Sequence, residues 1–272
     1  MTGISFVITT SGTNDSEVEK IINSIELLNM VDYEVVIVGG QKTSINRQNC
    51  IHIPFDESQK PAPWITKKKN IGSAVSKYDI NVIMHDYHVF DPSWYNEFEK
   101  FGTDWDICIN LVKSPPSQGS QRGNGWRAGP IPGYPEIPYC MTIPWDIDCF
   151  VPYMGIQGSY WVCKKSVMQE QPLNETLLWG QEDDVEWWPR VVPGFGGVLD
   201  ENPKYKIVSN ENCIVHAIKE KPLYPGNPDF EAMQRQLDPL WNWLREGNRR
   251  PGVFHYEKSI NKVITTIGLE NS

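Results

Sequence analysis

The strongest constraint on the fold is a regular alternation of short apolar runs and amphipathic stretches. Residues 4–8 (ISFVI) form one apolar run, and residues 33–38 (YEVVIV) form a second run that ends at Gly39-Gly40. Between them lies an apolar stripe at helical spacing, made of Val18, Ile21, Ile22, Ile25 and Leu28. A nearly continuous apolar strand after such a helix predicts a parallel βαβ unit that is covered on both faces.

The alternation continues further along the chain. The predicted strands are 50–54, 80–84 and 107–111, and the predicted helices between them are 66–76 and 92–101. Asn14, with Glu17 three residues later, predicts the N-cap and capping box of the first helix. We therefore expect an open, doubly wound α/β nucleotide-binding unit over residues 1–112.

Composition excludes several classes of protein. The chain has 272 residues and a net charge of −9, and it lacks an apolar run near the ~18–20 residues of a membrane span. We expect no nucleic-acid partner and no polybasic membrane anchor, so local cations must hold any polyanionic ligand. Since no secretory signal pattern is present, the expected compartment is the cytoplasm. The six Cys lack C-x-x-C spacing, which predicts buried free thiols rather than a zinc site.

Residues 114–154 differ in composition from the preceding part of the chain, because Pro, Gly and aromatic residues replace the alternating pattern. A loop this long in a compact domain is usually functional or disordered, and its Trp and Tyr residues favour an ordered, functional loop. Regular structure is predicted to resume as strands at 158–163, 205–208 and 213–216 and as an amphipathic helix at 230–246.

One candidate site is Asp86-Tyr87-His88, directly after the predicted strand at 80–84. In open α/β sheets ligands bind outside the carboxyl ends of the strands, so Asp86 and His88 can converge on one metal ion. A carboxylate with an imidazole suits Mn²⁺ or a similar divalent ion better than Ca²⁺. The alternative, an Asx-turn with a surface His, is about equally supported by the pattern.

A second candidate is Glu182-Asp183-Asp184, which follows Trp179-Gly180 and precedes a helical stretch. Carboxylates in a first helical turn are favoured by the helix dipole, which is the structural interpretation. The functional interpretation is a general base aimed out of the helix start at an attacking hydroxyl, with a nearby indole against the sugar ring.

Two further features supply metal-binding or cationic groups. His216 ends the apolar run at 213–215 and can supply a third metal ligand, although a strand-terminal His is more often structural. The run at 67–69 is three consecutive Lys, with Lys60 nearby. Such a run is usually a solvated helix face, but Lys beside a helix N-terminus can also hold a diphosphate.

In this order the features resemble the GT-A type nucleotide-sugar glycosyltransferases, especially family 2-like members and the related galactosyl- and N-acetylgalactosaminyl-transferases. The resemblance covers about residues 3–220. Its elements are Phe6-Val7-Ile8-Thr9-Thr10, Lys69-Asn70-Ile71-Gly72 (similar to R-N-x-G), the D-x-D-like Asp86-Tyr87-His88, Gly158-Ser159, Trp179-Gly180-Gln181-Glu182-Asp183-Asp184 (similar to W-G-G-E-D-D) and the late His216.

The resemblance implies a GT-A fold: a single Rossmann-like mixed sheet flanked by helices, with a long acceptor-side loop. The implied domain spans residues 1–221, with a nucleotide-sugar half at 1–112 and an acceptor and catalytic half at 113–221. Residues 222–272 are then a C-terminal helical extension.

The resemblance also implies roles for individual residues. The nucleotide-binding residues would be Thr9, Thr10, Ser11, Gly40, Lys67, Lys68, Asp86 and Tyr87, and the ligands of Mn²⁺ or Mg²⁺ would be Asp86, His88 and His216. Asp183 would be the base for an in-line, inverting displacement. The substrate contacts would be Trp179 at the acceptor ring, Glu182 at sugar hydroxyls, and Gly158, Trp161 and Trp126.

The sequence departs from the family pattern at four places. Gly39-Gly40 replaces an acidic pair, Lys69 stands where Arg is common, His88 replaces the second Asp, and Gln181 replaces a Gly. The first departure leaves the identity of the nucleotide open.

The resulting prediction is a metal-dependent, inverting glycosyltransferase of the hexosyltransferase type, with a UDP-sugar donor and a saccharide acceptor. The oligomeric state stays open. One alternative is a non-catalytic carbohydrate-binding, transferase-like protein. A metal-dependent nucleotidyltransferase is a third possibility, which the lack of a Gly-rich loop after the first strand counts against.

Overall fold

The computed structural model describes residues 3–113, 125–128, 131–137, 142–181, 183–192, 194, 204–219, 230–257 and 262–265. Its strands are β1 (Ile4–Thr9), β2 (Tyr33–Val38), β3 (Cys50–Ile53), β4 (Ile80–His85), β5 (His88–Phe90), β6 (Ile107–Lys113), β7 (Gly125–Ala128), β8 (Thr142–Pro144), β9 (Met154–Gly155), β10 (Tyr160–Lys164), β11 (Ile207–Ala217), β12 (Phe254–Glu257) and β13 (Lys262–Thr265). Its α-helices are α1 (Asp15–Glu26), α2 (Ile65–Val75), α3 (Trp94–Phe101), α4 (Lys165–Glu170), α5 (Asp183–Val191) and α6 (Phe230–Arg245), and 3₁₀ turns lie at Glu57–Gln59 and Asp148–Tyr153.

A curled, mixed eight-stranded sheet is the centre of the fold. Its strand order is β3-β2-β1-β4-β10-β6-β11-β5. Strands β3, β2, β1 and β4 run parallel to one another, β10 is antiparallel to both β4 and β6, and β11 runs parallel to β6. The mixed α/β sheet flanked by helices confirms the predicted fold class.

Each face of the sheet has its own hydrophobic core, as the alternation of side chains along a strand requires. In β1, Phe6 and Ile8 face a core that includes the buried stripe of α1, whereas Val7 faces the core that contains Trp161 and Trp187. The α1 stripe is the one that the sequence predicts, and it is buried at Val18, Ile21, Ile22 and Ile25. Helices therefore cover both faces, which explains why β2 is apolar at nearly every position.

Two local predictions are wrong. Asn14 is the N-cap residue of α1, but its side chain makes no capping hydrogen bond and instead donates to Asp86. The two late strands predicted at 205–208 and 213–216 are one strand, β11, whose register shifts between Asn210 and Ile214. Apolar runs on either side of a polar stretch look like two strands, and the sequence gives no sign that an irregularity joins them.

The acceptor-side stretch and the C-terminus also contain β-structure. Strands β7, β8 and β9 form a three-stranded sheet within residues 125–155, and much of the predicted long loop lies outside the described residues. Residues 222–272 contain α6 and also the β12–β13 hairpin. Leu237, Trp241 and Leu244 of α6 belong to the same core as Trp161, so the C-terminal segment shares a core with the central sheet.

The predictions about the Cys residues and about a membrane span can be compared with the described part of the chain. Its Cys residues are free thiols: Cys108, Cys149, Cys163 and Cys213 are buried and Cys50 is half-buried, while Cys140 lies outside the described residues. None of the described helices is both long enough and apolar enough to traverse a bilayer.

Candidate functional site

The candidate site lies at the edge of the sheet where β1, β2 and β4 end. These three parallel strands are in register, with Thr9 opposite both Val38 and His85. The start of β10 meets the same edge, because the His85 amide donates to the Ser159 carbonyl at 3.0 Å. This edge is where an open α/β sheet binds its ligands.

The loops after β1 and β2 touch each other at two glycines. A Cβ atom added to Gly12 would lie 2.2 Å from the Cα atom of Gly40, and both residues have positive φ angles, +80° and +66°. Only glycine allows so close a contact in this backbone conformation. Gly40 therefore allows the backbone of Gly12 to come close, and its close approach to a nucleotide stays a prediction.

Asp86 ties the end of β4 to the start of α1. Its Oδ2 atom accepts hydrogen bonds from the Thr10 hydroxyl at 2.8 Å and from the Asn14 amide at 3.0 Å. The Thr10 hydroxyl in turn accepts from the Gly12 amide at 3.1 Å. Two other predicted nucleotide contacts lie in this loop. Thr9 is buried, and its hydroxyl donates a hydrogen bond to the Met84 carbonyl. Ser11 is exposed, and its hydroxyl shares a hydrogen bond with the Thr13 hydroxyl.

The structure does not bring the three predicted metal ligands together. The His88 side chain is fully buried, with its ring 4.4 Å from the Tyr87 ring and 5.8 Å from the Tyr160 ring, centroid to centroid. In the β11–β5 pairing the residue opposite His88 is Ala217, so its neighbour His216 projects from the other face of the sheet.

His216 has a different partner. Its Nε2 atom lies 3.4 Å from Oδ2 of Asp91. Hydrogen bonds from the Ser93 hydroxyl and amide, and then from His216, hold the pKa of Asp91 below its usual value. Within the described ranges no group of three His, Cys, Asp or Glu side chains is arranged to hold a metal ion. The set Asp86, His88 and His216 therefore does not fit one ion in this conformation.

Tyr87 lies between the Asp86 turn and the start of α5. Burial is the main cause that raises the pKa of its phenol, and the charges of Asp86, Asp183 and Asp184 raise it further, against a hydrogen bond with Ser159. The phenol thus stays protonated at neutral pH. Its electrostatic environment includes carboxylates from both candidate clusters, which places those clusters around one site.

The acidic cluster begins α5, as the sequence predicts, and it is tied to α2 and to the entry of β10. The Lys69 ammonium donates to Oδ2 of Asp183 at 2.7 Å and to the Gly158 carbonyl at 2.9 Å. Oδ2 of Asp184 accepts from the Gly158 amide at 2.9 Å. Glu182 lies outside the described residues.

The three consecutive lysines occupy three different environments. Lys67 places its ammonium 4.2 Å from the centre of the Trp64 ring, with Lys60 at 4.5 Å from the same ring. Lys68 is buried, donates to the Thr10 carbonyl at 2.9 Å and forms an ion pair with Glu57. The ammonium of Lys68 therefore holds the loop after β1, and its contact with the nucleotide stays a prediction.

The aromatic residues predicted to contact the substrate also lie in different environments. The Trp179 side chain is 61% exposed, and its backbone amide donates to the Pro63 carbonyl at 2.9 Å. Trp161 is 2% exposed and packs against Trp187, so the structure places it in the core and not where a ring stacks on a substrate. Trp126 lies in β7, and its side chain is outside the described residues.

Sequence reasoning missed the roles of Asn14, Lys69 and Asp184. A signal for Lys69 was present, because consecutive residues of a helix point about 100° apart and three lysines in a row cannot all lie on one solvated face. The partner of Asn14 could not be found in this way, since Asp86 lies on a distant strand.

Comparisons with known proteins agree with this architecture. No protein-family model matches the chain, and no curated protein matches it. Solved structures do match. Residues 1–349 of TarS from S. aureus superpose with a TM-score of 0.51 and 11% identity, over 95% of this chain and 68% of that one. GalNAc-T7 with UDP, GalNAc and Mn²⁺ gives a TM-score of 0.51 and 12% identity, over 89% of this chain and 49% of that one.

Both of these structures are GT-A glycosyltransferases. At 11% and 12% identity the similarity shows the fold and not the activity. The chain spans about half the length of the GalNAc-T7 chain. The chain therefore has the GT-A type fold that its sequence motifs predict.

Proposed function

We propose that this chain is a glycosyltransferase that moves a sugar from a nucleotide-sugar, with a UDP-sugar as the donor, to a saccharide hydroxyl. One observation carries the proposal: Asp183, at the start of α5, is held at the ligand-binding edge of a GT-A fold. The Asp86 turn, where the nucleotide would bind, lies at that same edge, and the buried Tyr87 is under the influence of both carboxylates.

In the proposed reaction Asp183 is the general base. The acceptor hydroxyl loses its proton to the Asp183 carboxylate and attacks the anomeric carbon of the donor. The new glycosidic bond forms as the bond from that carbon to the diphosphate breaks, and the nucleoside diphosphate leaves with the electron pair. In-line attack inverts the anomeric configuration. A positioned carboxylate base contributes about 10²- to 10⁴-fold to such a step.

The remaining roles are assigned by position. Trp179 would stack on the acceptor ring, because its indole is 61% exposed and its residue lies four positions before Asp183. Glu182 would hold sugar hydroxyls, and Asp86 the ribose. Thr10 and the Gly12–Gly40 contact would shape the nucleotide pocket, with Lys68 holding the Thr10 backbone in place.

Metal dependence on Mn²⁺ or Mg²⁺ stays a prediction. A divalent ion would supply positive charge for the leaving diphosphate, and Asp86 is the predicted ligand at the site edge. Because His88 is buried and His216 projects from the opposite face, we assign no metal-bound step to these residues. Turnover measured after chelation with EDTA, and again after Mn²⁺ or Mg²⁺ is restored, tests the dependence.

The proposal is tested by UDP release from a panel of UDP-sugars with a panel of saccharide acceptors. We expect at least one pair to give acceptor-dependent UDP release, and product analysis by NMR to show an inverted anomeric centre. If no donor in the panel binds or turns over, with or without metal, the proposed function is wrong.

A non-catalytic carbohydrate-binding protein is the second candidate. The exposed indole of Trp179 favours it, because an exposed aromatic ring can receive a sugar without any chemistry. Calorimetry separates the two candidates: this alternative predicts oligosaccharide binding that is independent of nucleotide and metal, and no UDP release.

A further inference from the structure

Lys69 is a charged side chain placed wholly inside the protein. It lies in the middle of α2 and is 0% exposed. Its ammonium donates to Asp183 Oδ2 at 2.7 Å and to the Gly158 carbonyl at 2.9 Å, and it lies 4.9 Å from the centre of the Trp161 ring. Each of these three partners comes from a part of the chain about 90 residues or more away along the sequence.

A buried ammonium requires partners of this kind, because an uncompensated charge in the interior is strongly unfavourable. The pairing therefore restrains both side chains. The Asp183 side chain is 14% exposed, and one of its carboxylate oxygens, Oδ2, is taken by Lys69. The other oxygen, Oδ1, is then the one that remains for an acceptor hydroxyl.

The peptide group of Gly158 also links Lys69 to the start of α5. Its carbonyl accepts from Lys69 and its amide donates to Asp184, so two consecutive carboxylates of α5 are held through one peptide and one lysine. A Cβ atom on Gly158 would lie 2.7 Å from Oδ2 of Asp184. Only glycine fits this close approach without displacing the helix start.

We propose that Lys69 is a positioning residue for the base: it fixes the Asp183 carboxylate in its reactive orientation without touching the substrate. This role rests on the proposed function of Asp183. The proton of the acceptor goes to Asp183, and Lys69 takes no part in the proton transfer.

The test compares three single variants with the wild-type chain. Lys69→Met removes the charge and keeps a similar length, Lys69→Arg restores a cation, and Lys165→Met removes a lysine that joins the same helix to α4 by donating to the Ser76 carbonyl at 2.5 Å. The substrate is whichever UDP-sugar and acceptor of the panel give the highest UDP release. The readouts are kcat and KM for the donor.

For Lys69→Met we expect kcat to fall about 10- to 100-fold, as misplacement of a catalytic group does, while KM for the donor changes less than about twofold. Lys69→Arg should recover part of kcat, and Lys165→Met should leave kcat and KM unchanged.

A double variant keeps the test decisive if Lys69→Met folds poorly. Lys69→Met combined with Asp183→Asn leaves no uncompensated charge, and it should have the same kcat as Asp183→Asn alone. A further loss in the double variant, or no recovery of kcat in a folded Lys69→Arg, would overturn the positioning role while the proposed function stands. Lack of turnover by the wild-type chain overturns the proposed function itself.

Discussion

The candidate site has two halves, the strand-end loops around Asp86 and the start of α5, and different interactions hold each of them together. In the first half, Asp86 accepts hydrogen bonds from Thr10 and Asn14, and glycines let the loops touch. At the start of α5, a buried ion pair joins Lys69 to Asp183. Hydrogen bonds to a charged group contribute about 1.5–3 kcal/mol each, whereas removing one partner of a buried ion pair costs about 3–5 kcal/mol. Substitutions should therefore be tolerated better at the first half than at the second.

The largest effect is expected at Asp183. Asp183→Asn keeps the shape but removes the proton acceptor, so kcat should fall about 10²- to 10⁴-fold. UDP affinity, measured by calorimetry, should stay within about twofold, because the nucleotide is assigned to the other half. Asp104→Asn is the matched control, since that carboxylate is 98% exposed and pairs only with Lys206 among its described contacts. A parallel loss of UDP affinity in Asp183→Asn would contradict the division into two halves.

Gly158 tests how tightly the acidic half is packed. Gly158→Ala places a methyl group 2.7 Å from Oδ2 of Asp184, and we expect a loss of about 1–3 kcal/mol in the free energy of unfolding. Chemical denaturation measures this loss. The double variant Gly158→Ala with Asp184→Ala removes the close contacts with Cγ and Oδ2 and keeps the one with Cβ at 2.9 Å, so it should lose less than the sum of the two single variants. Strict additivity would mean that the contact with Asp184 is not the cause.

The same division explains what the sequence could predict. Strand-end residues such as Asp86 follow an apolar run, so the parallel βαβ pattern is enough to place them at the ligand-binding edge. The Lys69–Asp183 pair joins residues 114 positions apart, and no local periodicity encodes such a contact. His88 shows a related limit: the pattern gives its position in the chain, but the β5–β11 register decides which face it occupies.

A buried histidine outside both halves makes the stability of the chain depend on pH. His255 in β12 is 5% exposed, and burial, followed by the charge of Arg249, lowers its pKa to about 4. The unfolded chain binds this proton first, near pH 6.5, so stability is present above that value and is lost as the pH falls toward 4. At pH 5.5 the loss should be about 1 kcal/mol.

His255→Phe should remove that acid sensitivity, because Phe fits among the neighbouring rings of Tyr134 and Phe150 and does not titrate. Thermal unfolding of both chains between pH 7.5 and 5 measures the difference. Equal acid sensitivity in both chains would show that His255 is not the titrating group.

The smallest effect is expected at Asn14, in the hydrogen-bonded half. Asn14→Ala removes one of the two hydrogen bonds to Asp86, whereas Thr10 still donates to the same oxygen. One neutral-to-charged hydrogen bond of this kind is worth about 1.5–3 kcal/mol at most, and a partly exposed one less, so KM for the donor should rise only a few-fold with kcat unchanged. Asn96→Ala is the control, because Asn96 is exposed on the surface of α3. A large fall in kcat for Asn14→Ala would mean that the Asp86 turn also positions the base, and the two halves would then act as one unit through Tyr87.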